Sequence, residues 1–277
     1  MTSNYSFNFL GLPPPYSDFK KAKFVILPVP YEQTTTFKTG TKNGPQAIIS
    51  ASREVELFDE ELEFEAHSVG ISTLQEMEVT ALGPQKMNQR IYRIAKKLIA
   101  QKKFVIMLGG EHSITYGLVK AYQEKYKDLT VLQLDAHSDL RESYQENKFS
   151  HACAMKRVWE ICPVVGVGIR NLSAGEFRFI KNNKIRLFHA RYLQNFKTYY
   201  DEIINSLSEN VFLTFDLDYF DPSLMPAVGT PEPGGLFWYE TLELLKKVIL
   251  KKNLVGFDVV ELSLFPGMWV QIFWRLN

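Results

Sequence analysis

The stretch VLQLDAHSDLRES, residues 131–143, opens as a buried strand with Val131, Leu132 and Leu134. It then sets Asp135, His137 and Asp139 at alternate positions. Charge at the end of an apolar strand is costly unless it is paired or holds a cation. Residues two apart point to the same side of an extended chain, so the three polar groups converge wherever that geometry continues past Leu134. Asp135 alone reads as a turn or helix cap. Three metal-competent groups in alternation read as a cation site.

Working outward, the chain alternates short apolar runs with helical patterns. KFVILPVP (23–30) is a strand ended by Pro28 and Pro30, and FVIML (104–108) and TVLQL (130–134) follow. VVGVG (164–168), VFLTF (211–215) and LVGFDVV (254–260) complete the predicted strands. Helices are predicted at NGPQAIISASREVELF (43–58), where a first turn tolerates Pro45, at SITYGLVKAYQEKY (113–126) and at YETLELLKKVIL (239–250). Met87, Ile91, Ile94, Ala95, Leu98 and Ile99 recur at helical spacing and give another helix one apolar face. The strand runs are largely apolar rather than strictly alternating, as expected when helices cover both sheet faces. The fold class is therefore α/β, a sandwich around a mostly parallel sheet. No Pro/Ser/Gly-rich linker or internal repeat divides it, so residues 1–277 are expected to form a single domain.

Bulk properties narrow the function. The 277 residues carry a formal charge of +1, with no basic excess for nucleic acid and no acidic arm. Cys153 and Cys162 are too few for a disulfide framework and do not form a Cys-x-x-Cys pair. The first residues lack the basic-then-apolar order of a signal peptide, and no apolar run is long enough for a bilayer. The expectation is a cytoplasmic protein without a nucleic-acid or membrane partner.

In open parallel sheets, ligands gather beyond the carboxyl ends of the strands. Four such ends here carry unusual residues: His112 in GGEHS, Asp135, His137 and Asp139 in DAHSD, Asp216 and Asp218 in FDLDYFD, and Glu261 in DVVEL. Singly, His112 reads as a loop or core histidine, Asp216 and Asp218 as turn caps, and Glu261 as a helix cap or ion-pair partner. Together, His112, Asp135, His137, Asp139, Asp216 and Asp218 form a donor set of four carboxylates and two imidazoles without a thiolate. Such a set favours Mn²⁺ or a similarly hard divalent ion over structural zinc. It exceeds what one catalytic ion needs and suits two ions about 3.5–4 Å apart. Two cations would offset the stacked negative charge and lower the pKa of a bridging water.

The motifs GGEHSITYG, LDAHSDLRESYQENKFSHACAMKRV, FDLDYFDPSLMPAVGTPEPGG and DVVEL, in that order, resemble the ureohydrolase family, which includes arginase and agmatinase. The likeness extends from ILPVPYEQTTTFKTGTKNGPQAI to Glu261. It implies an arginase-like three-layer α/β/α sandwich, two Mn²⁺ per chain, and release of urea from a guanidino compound. His112, Asp135, Asp139 and Asp216 would hold one ion, and Asp135, His137, Asp216 and Asp218 the other, with Asp135 and Asp216 bridging. A metal-bridging hydroxide would attack the guanidinium carbon. Asp139 matches the carboxylate that orients it, Glu261 the one that pairs with the substrate guanidinium, and His151 a histidine beside the substrate with a role in proton transfer. His67 and His189 match no motif. The loop after Asp139 is closer to agmatinases than to arginases, so agmatine, cleaved to putrescine and urea, is the expected substrate. Aminopropylagmatine comes next, followed by guanidinobutyrate and arginine. The resemblance also implies a homo-oligomer, a trimer or hexamer.

The chain departs from the family at its end. Leu264 stands where a proline is usual, and VQIFWRLN replaces a long C-terminal helix, which therefore reads as truncated or altered after about residue 263. An exposed apolar tail is the expectation. Two other readings remain open at this point: a metal-binding relative that does not turn over, and a single-zinc amide deacetylase of similar fold.

Overall fold

Strands that are apolar on both sides need cover on both sides, and the structure supplies it. The computed structural model describes residues 7–264. In chain order the strands are β1 (Phe24–Val29), β2 (Phe58–Asp59), β3 (Phe64–Glu65), β4 (Ile71–Thr73) and β5 (Phe104–Gly109). They continue with β6 (Leu129–Leu134), β7 (Val164–Ile169), β8 (Arg186–His189), β9 (Asn210–Asp216) and β10 (Asn253–Val260). The helices are α1 (Gly44–Ser52), α2 (Pro84–Ala100), α3 (Thr115–Lys125), α4 (Ala154–Trp159), α5 (Ala174–Asn183), α6 (Tyr200–Asn205) and α7 (Trp238–Lys251).

Eight strands form one sheet in the order β4-β1-β5-β10-β9-β6-β7-β8. Every pairing in it is parallel. β2 and β3 make a separate antiparallel hairpin. The two-residue period of extended chain sorts neighbouring side chains to opposite faces. Ile106, Leu132 and Leu213 join α1, α6 and α7 in one core. Val105, Val131 and Phe212, one residue away in each case, join α2, α3 and α4 in the other. The result is the expected α/β/α sandwich.

Most predicted elements are present with small shifts at their ends. α1 is shorter than expected and stops at Ser52, because the chain then turns toward the β2–β3 hairpin. β4 and β8 escaped the sequence reading for a physical reason. Both are short edge strands, and β8 begins with exposed Arg186 instead of an apolar run. One sheet face also carries an apolar groove of about 310 Å³, bordered by Phe24, Ile26, Phe257, Val259 and Trp238. The expected apolar tail lies outside the described residues.

One helix start is tied directly to the segment that decides the fold. Ser173 and Glu176 form a capping box at the start of α5. Glu176 is buried, and its Oε2 accepts from the Ser173 amide at 2.8 Å. Its Oε1 accepts from Ser138 Oγ at 2.7 Å and from the Leu140 amide at 3.1 Å. Glu176 thus holds the two residues that flank Asp139. Replacing Glu176 by Ala removes a cap and strands buried donors, so unfolding free energy is expected to fall by about 2–3 kcal/mol. Ser173→Ala, which loses only a cap, should cost about 1 kcal/mol. Equilibrium denaturation measures both, and equal losses would mean that Glu176 contributes nothing to the loop.

Candidate metal centre and active site

The strand ends singled out in the sequence belong to β5, β10, β9 and β6, which are consecutive neighbours at the middle of the sheet. Parallel pairing in register therefore sets their carboxyl ends side by side. The turn after β5 passes so close to Tyr31 that a Cβ on Gly110 would sit 2.1 Å from the Tyr31 carbonyl oxygen. Only glycine fits there, and the turn delivers Glu111 and His112 over the sheet edge. Asp139 and Glu261 both occupy the left-handed region, with φ of 50° and 67°. That conformation is unfavourable for residues with a Cβ and is held by surrounding contacts. The regular alternation assumed past Leu134 therefore ends before Asp139.

The predicted groups do converge. His112 Nδ1 lies 3.0 Å from Asp139 Oδ2, 3.3 Å from Asp135 Oδ2 and 3.5 Å from Asp216 Oδ2. His137 Nδ1 lies 2.8 Å from Asp218 Oδ2 and 3.8 Å from Asp135 Oδ1. Two groups with metal-ligand spacing result, His112–Asp135–Asp139 and Asp135–His137–Asp218, and Asp135 belongs to both. Asp216 faces the first group through Oδ2, while its Oδ1 accepts from the Asp218 amide at 2.9 Å.

Whether this donor set fits metal ions can be judged from His112. Thr214 Oγ1 donates to Asp258 Oδ1 at 2.6 Å, so the 2.9 Å contact between Thr214 Oγ1 and His112 Nε2 has the ring N–H as donor. A neutral ring then has its lone pair on Nδ1. Burial opposes a second proton there, but Asp135 and Asp139 outweigh burial and raise His112 well above its ordinary value, so the position calls for positive charge. Nδ1 is buried without a hydrogen-bond partner and faces carboxylate oxygens. Lone pairs opposed at such distances repel, and only positive charge between them satisfies the arrangement. The residues fit a divalent cation at this position.

The electrostatics agree. Burial, reinforced by Asp218 and Asp139, pushes Asp135 up to about 7. Asp216 is raised well above its ordinary value, by burial first and then by the charges of Asp218 and Asp135. Burial also acts to raise Asp218, but His137 and the Ala136 amide outweigh it and hold this group down at about 2. Burial acts to lower His137, yet Asp218 and its neighbours push it up to about 10. The cluster as a whole is short of positive charge.

A pocket of about 200 Å³ opens over this floor, lined by His137, Asp139, Asp216, Asp218, His151 and Glu261, with Lys38 and Arg141 also on its walls. Glu261 Oε1 accepts from the His112 amide at 2.7 Å. Its carboxyl is raised well above its usual range, chiefly by burial. A cation in the pocket would offset the burial and favour the charged form of Glu261. His67 packs edge-on against Tyr16, and His189 contacts the Ile169 carbonyl, so both lie apart from this site.

Several supporting residues were not foreseen. Gln133, buried inside β6, donates to Asp135 Oδ2 and to the His137 carbonyl, each at 2.9 Å. Arg170 donates to the carbonyls of Asp218 and Glu232, each at 2.7 Å, and so ties the β9 loop to the 229–235 turn. Thr34 contacts both Glu111 and His151. A lone glutamine in an apolar run was a usable signal for the first. The others depend on partners far away in the chain.

A family model described as Arginase family matches residues 22–265. An N(1)-aminopropylagmatine ureohydrolase of Synechocystis sp. is 37% identical over 93% of this chain and 87% of its own length. An agmatinase of Pyrococcus horikoshii is 33% identical over 94% of this chain and 90% of its own. Among solved structures, an agmatine ureohydrolase of Thermoplasma volcanium superposes with a TM-score of 0.81 at 32% identity, covering 88% of this chain and 83% of that one. With this span of similarity and this fold, the chain belongs to the arginase family and is a ureohydrolase.

Proposed function

We propose that this protein is a binuclear manganese ureohydrolase acting on agmatine-type amines. N1-aminopropylagmatine, cleaved to spermidine and urea, is the favoured substrate, and agmatine, cleaved to putrescine and urea, is the second. The observation that carries the reading is Asp135, buried and shared by two groups of metal-ligand spacing beneath a pocket that also holds Glu261. The substrate choice draws on the similarity to relatives named for aminopropylagmatine and agmatine. A single parallel sheet and a family match from 22 to 265 support reading this span as one catalytic unit.

His112, Asp135, Asp139 and Asp216 would hold one ion, and Asp135, His137, Asp216 and Asp218 the other. When bound, two divalent cations supply Lewis acidity that lowers the pKa of water toward neutrality and offsets the carboxylate charge. Glu261 binds the planar guanidinium and turns its central carbon toward the floor of the pocket. Asp139, at the edge of the pocket, takes the proton that the attacking water gives up. His151, which also lines the pocket, gives a proton to the amine nitrogen as the carbon–nitrogen bond breaks. The bonding pair leaves with that nitrogen, the hydroxyl proton on the remaining carbon fragment returns to His151, and urea is left, while the proton on Asp139 ends on the released amine.

Three outcomes are expected. With Mn²⁺ present, urea should be released from aminopropylagmatine and agmatine with kcat/KM at least roughly tenfold above arginine and guanidinobutyrate, a difference of about 1.4 kcal/mol. No urea from any of the four with both metals bound would sink the enzyme reading. Metal analysis should find two Mn²⁺ per chain, near zero in Asp135→Asn and close to one in His137→Asn. A single zinc would instead favour the deacetylase reading. Glu261→Gln should keep its metal and lose about a hundredfold in kcat/KM, since a charged hydrogen bond is worth about 1.5–3 kcal/mol.

A further inference from the structure

The contacts around His151 have a direction. Thr34 Oγ1 lies 2.7 Å from Glu111 Oε1, 3.0 Å from the His151 amide nitrogen and 3.1 Å from His151 Nδ1. A hydroxyl offers one proton and two lone pairs. Glu111 is buried, and its Oε2 accepts from the amides of Gln33 and Thr34, each at 2.6 Å. Its Oε1 accepts from Ser113 Oγ as well as Thr34. Donors fill both oxygens, so Glu111 acts here as an acceptor only. The Thr34 proton therefore goes to Glu111, in the stronger, charge-assisted bond. The His151 amide occupies one lone pair of Thr34, and the other is left for a proton on Nδ1. Ser150 Oγ lies 3.3 Å from the same nitrogen, and its hydroxyl can accept that proton or donate its own there over this longer contact.

We propose that Thr34, anchored by Glu111, is a positioning residue that fixes His151 as the Nδ1–H tautomer and leaves Nε2 for the pocket. This rests on the role given to His151 above. In that tautomer the neutral ring has its lone pair on Nε2, where it can take up a proton and pass it to the amine nitrogen. In the other tautomer Nδ1 would need a donor; the one proton of Thr34 is held by Glu111, and Ser150 Oγ offers only the longer 3.3 Å contact. His112 is fixed in the opposite sense, Nε2–H toward Thr214, which leaves Nδ1 bare toward the carboxylates. Each histidine thus turns a free nitrogen toward its task, through a threonine tied to a buried carboxylate.

The test pairs Thr34→Val, which keeps the shape and loses the hydroxyl, with Thr34→Ser, which restores it. ¹⁵N-histidine NMR of the metal-free protein, assigned with His151→Asn, reads the tautomer directly. The Nδ1–H form is expected in the unaltered protein and Thr34→Ser, and a mixed or reversed population in Thr34→Val. With Mn²⁺ and aminopropylagmatine, Thr34→Val should lose kcat by roughly tenfold, with KM within about twofold and metal content unchanged. Thr34→Ser should recover most of that loss. An Nδ1–H population unchanged in Thr34→Val, or an Nε2–H form in the unaltered protein, overturns the proposal. Absence of urea from the unaltered protein would overturn the reaction reading alone, because the spectrum reports the tautomer independently.

Discussion

Asp135 is wholly buried at the end of β6, beside three other carboxylates and two imidazoles. The rest of the molecule is organised around that concentration of charge. Removing such groups from water costs several kcal/mol each unless positive charge and hydrogen bonds compensate. The sandwich provides the setting, because parallel strands in register bring β5, β10, β9 and β6 to a common edge while helices close off both faces. The loops then hold the charges with backbone amides. The His137 amide donates to Asp135, the Ala136 amide to Asp218 and the His112 amide to Glu261. What these contacts leave unsatisfied is a demand for cations.

The histidines show how little freedom remains. Asp258 acts on His112 through Thr214, and Glu111 acts on His151 through Thr34. In each relay a carboxylate captures the hydroxyl proton, so the imidazole has to donate. Similar pieces produce opposite tautomers because different ring nitrogens face the hydroxyl. A carboxylate bonded directly to imidazole would also fix a tautomer, but it would place a full charge beside the ring. The intervening hydroxyl moves that charge one side chain away.

Much of the site was legible in the order of residues along the chain. Asp135, His137 and Asp139 stand close together, and strands that end in acid are conspicuous against apolar runs. The central strands were legible for the same reason, since burial on both faces makes most of their positions apolar. β4 and β8 were not, because a strand covered on one edge only has no need of such a run. The left-handed backbone at Asp139 and Glu261 was also hidden. Neither residue is a glycine, and their conformations are imposed by contacts with Glu176, Gly110 and His112.

The amino-acid sequence by itself determined which residue types stand at the strand ends and the class of sheet that presents them. Local apolar patterning dictates strands, and the motif order ties the chain to one family. Tertiary structure alone decided which strand ends are neighbours, which carboxylate is shared between two groups, and which nitrogen of each histidine is free. Those properties depend on distances between residues far apart in the chain. Glu111 and Thr34 are separated by 77 positions, and His151 and Thr34 by 117, so no local pattern records their meeting.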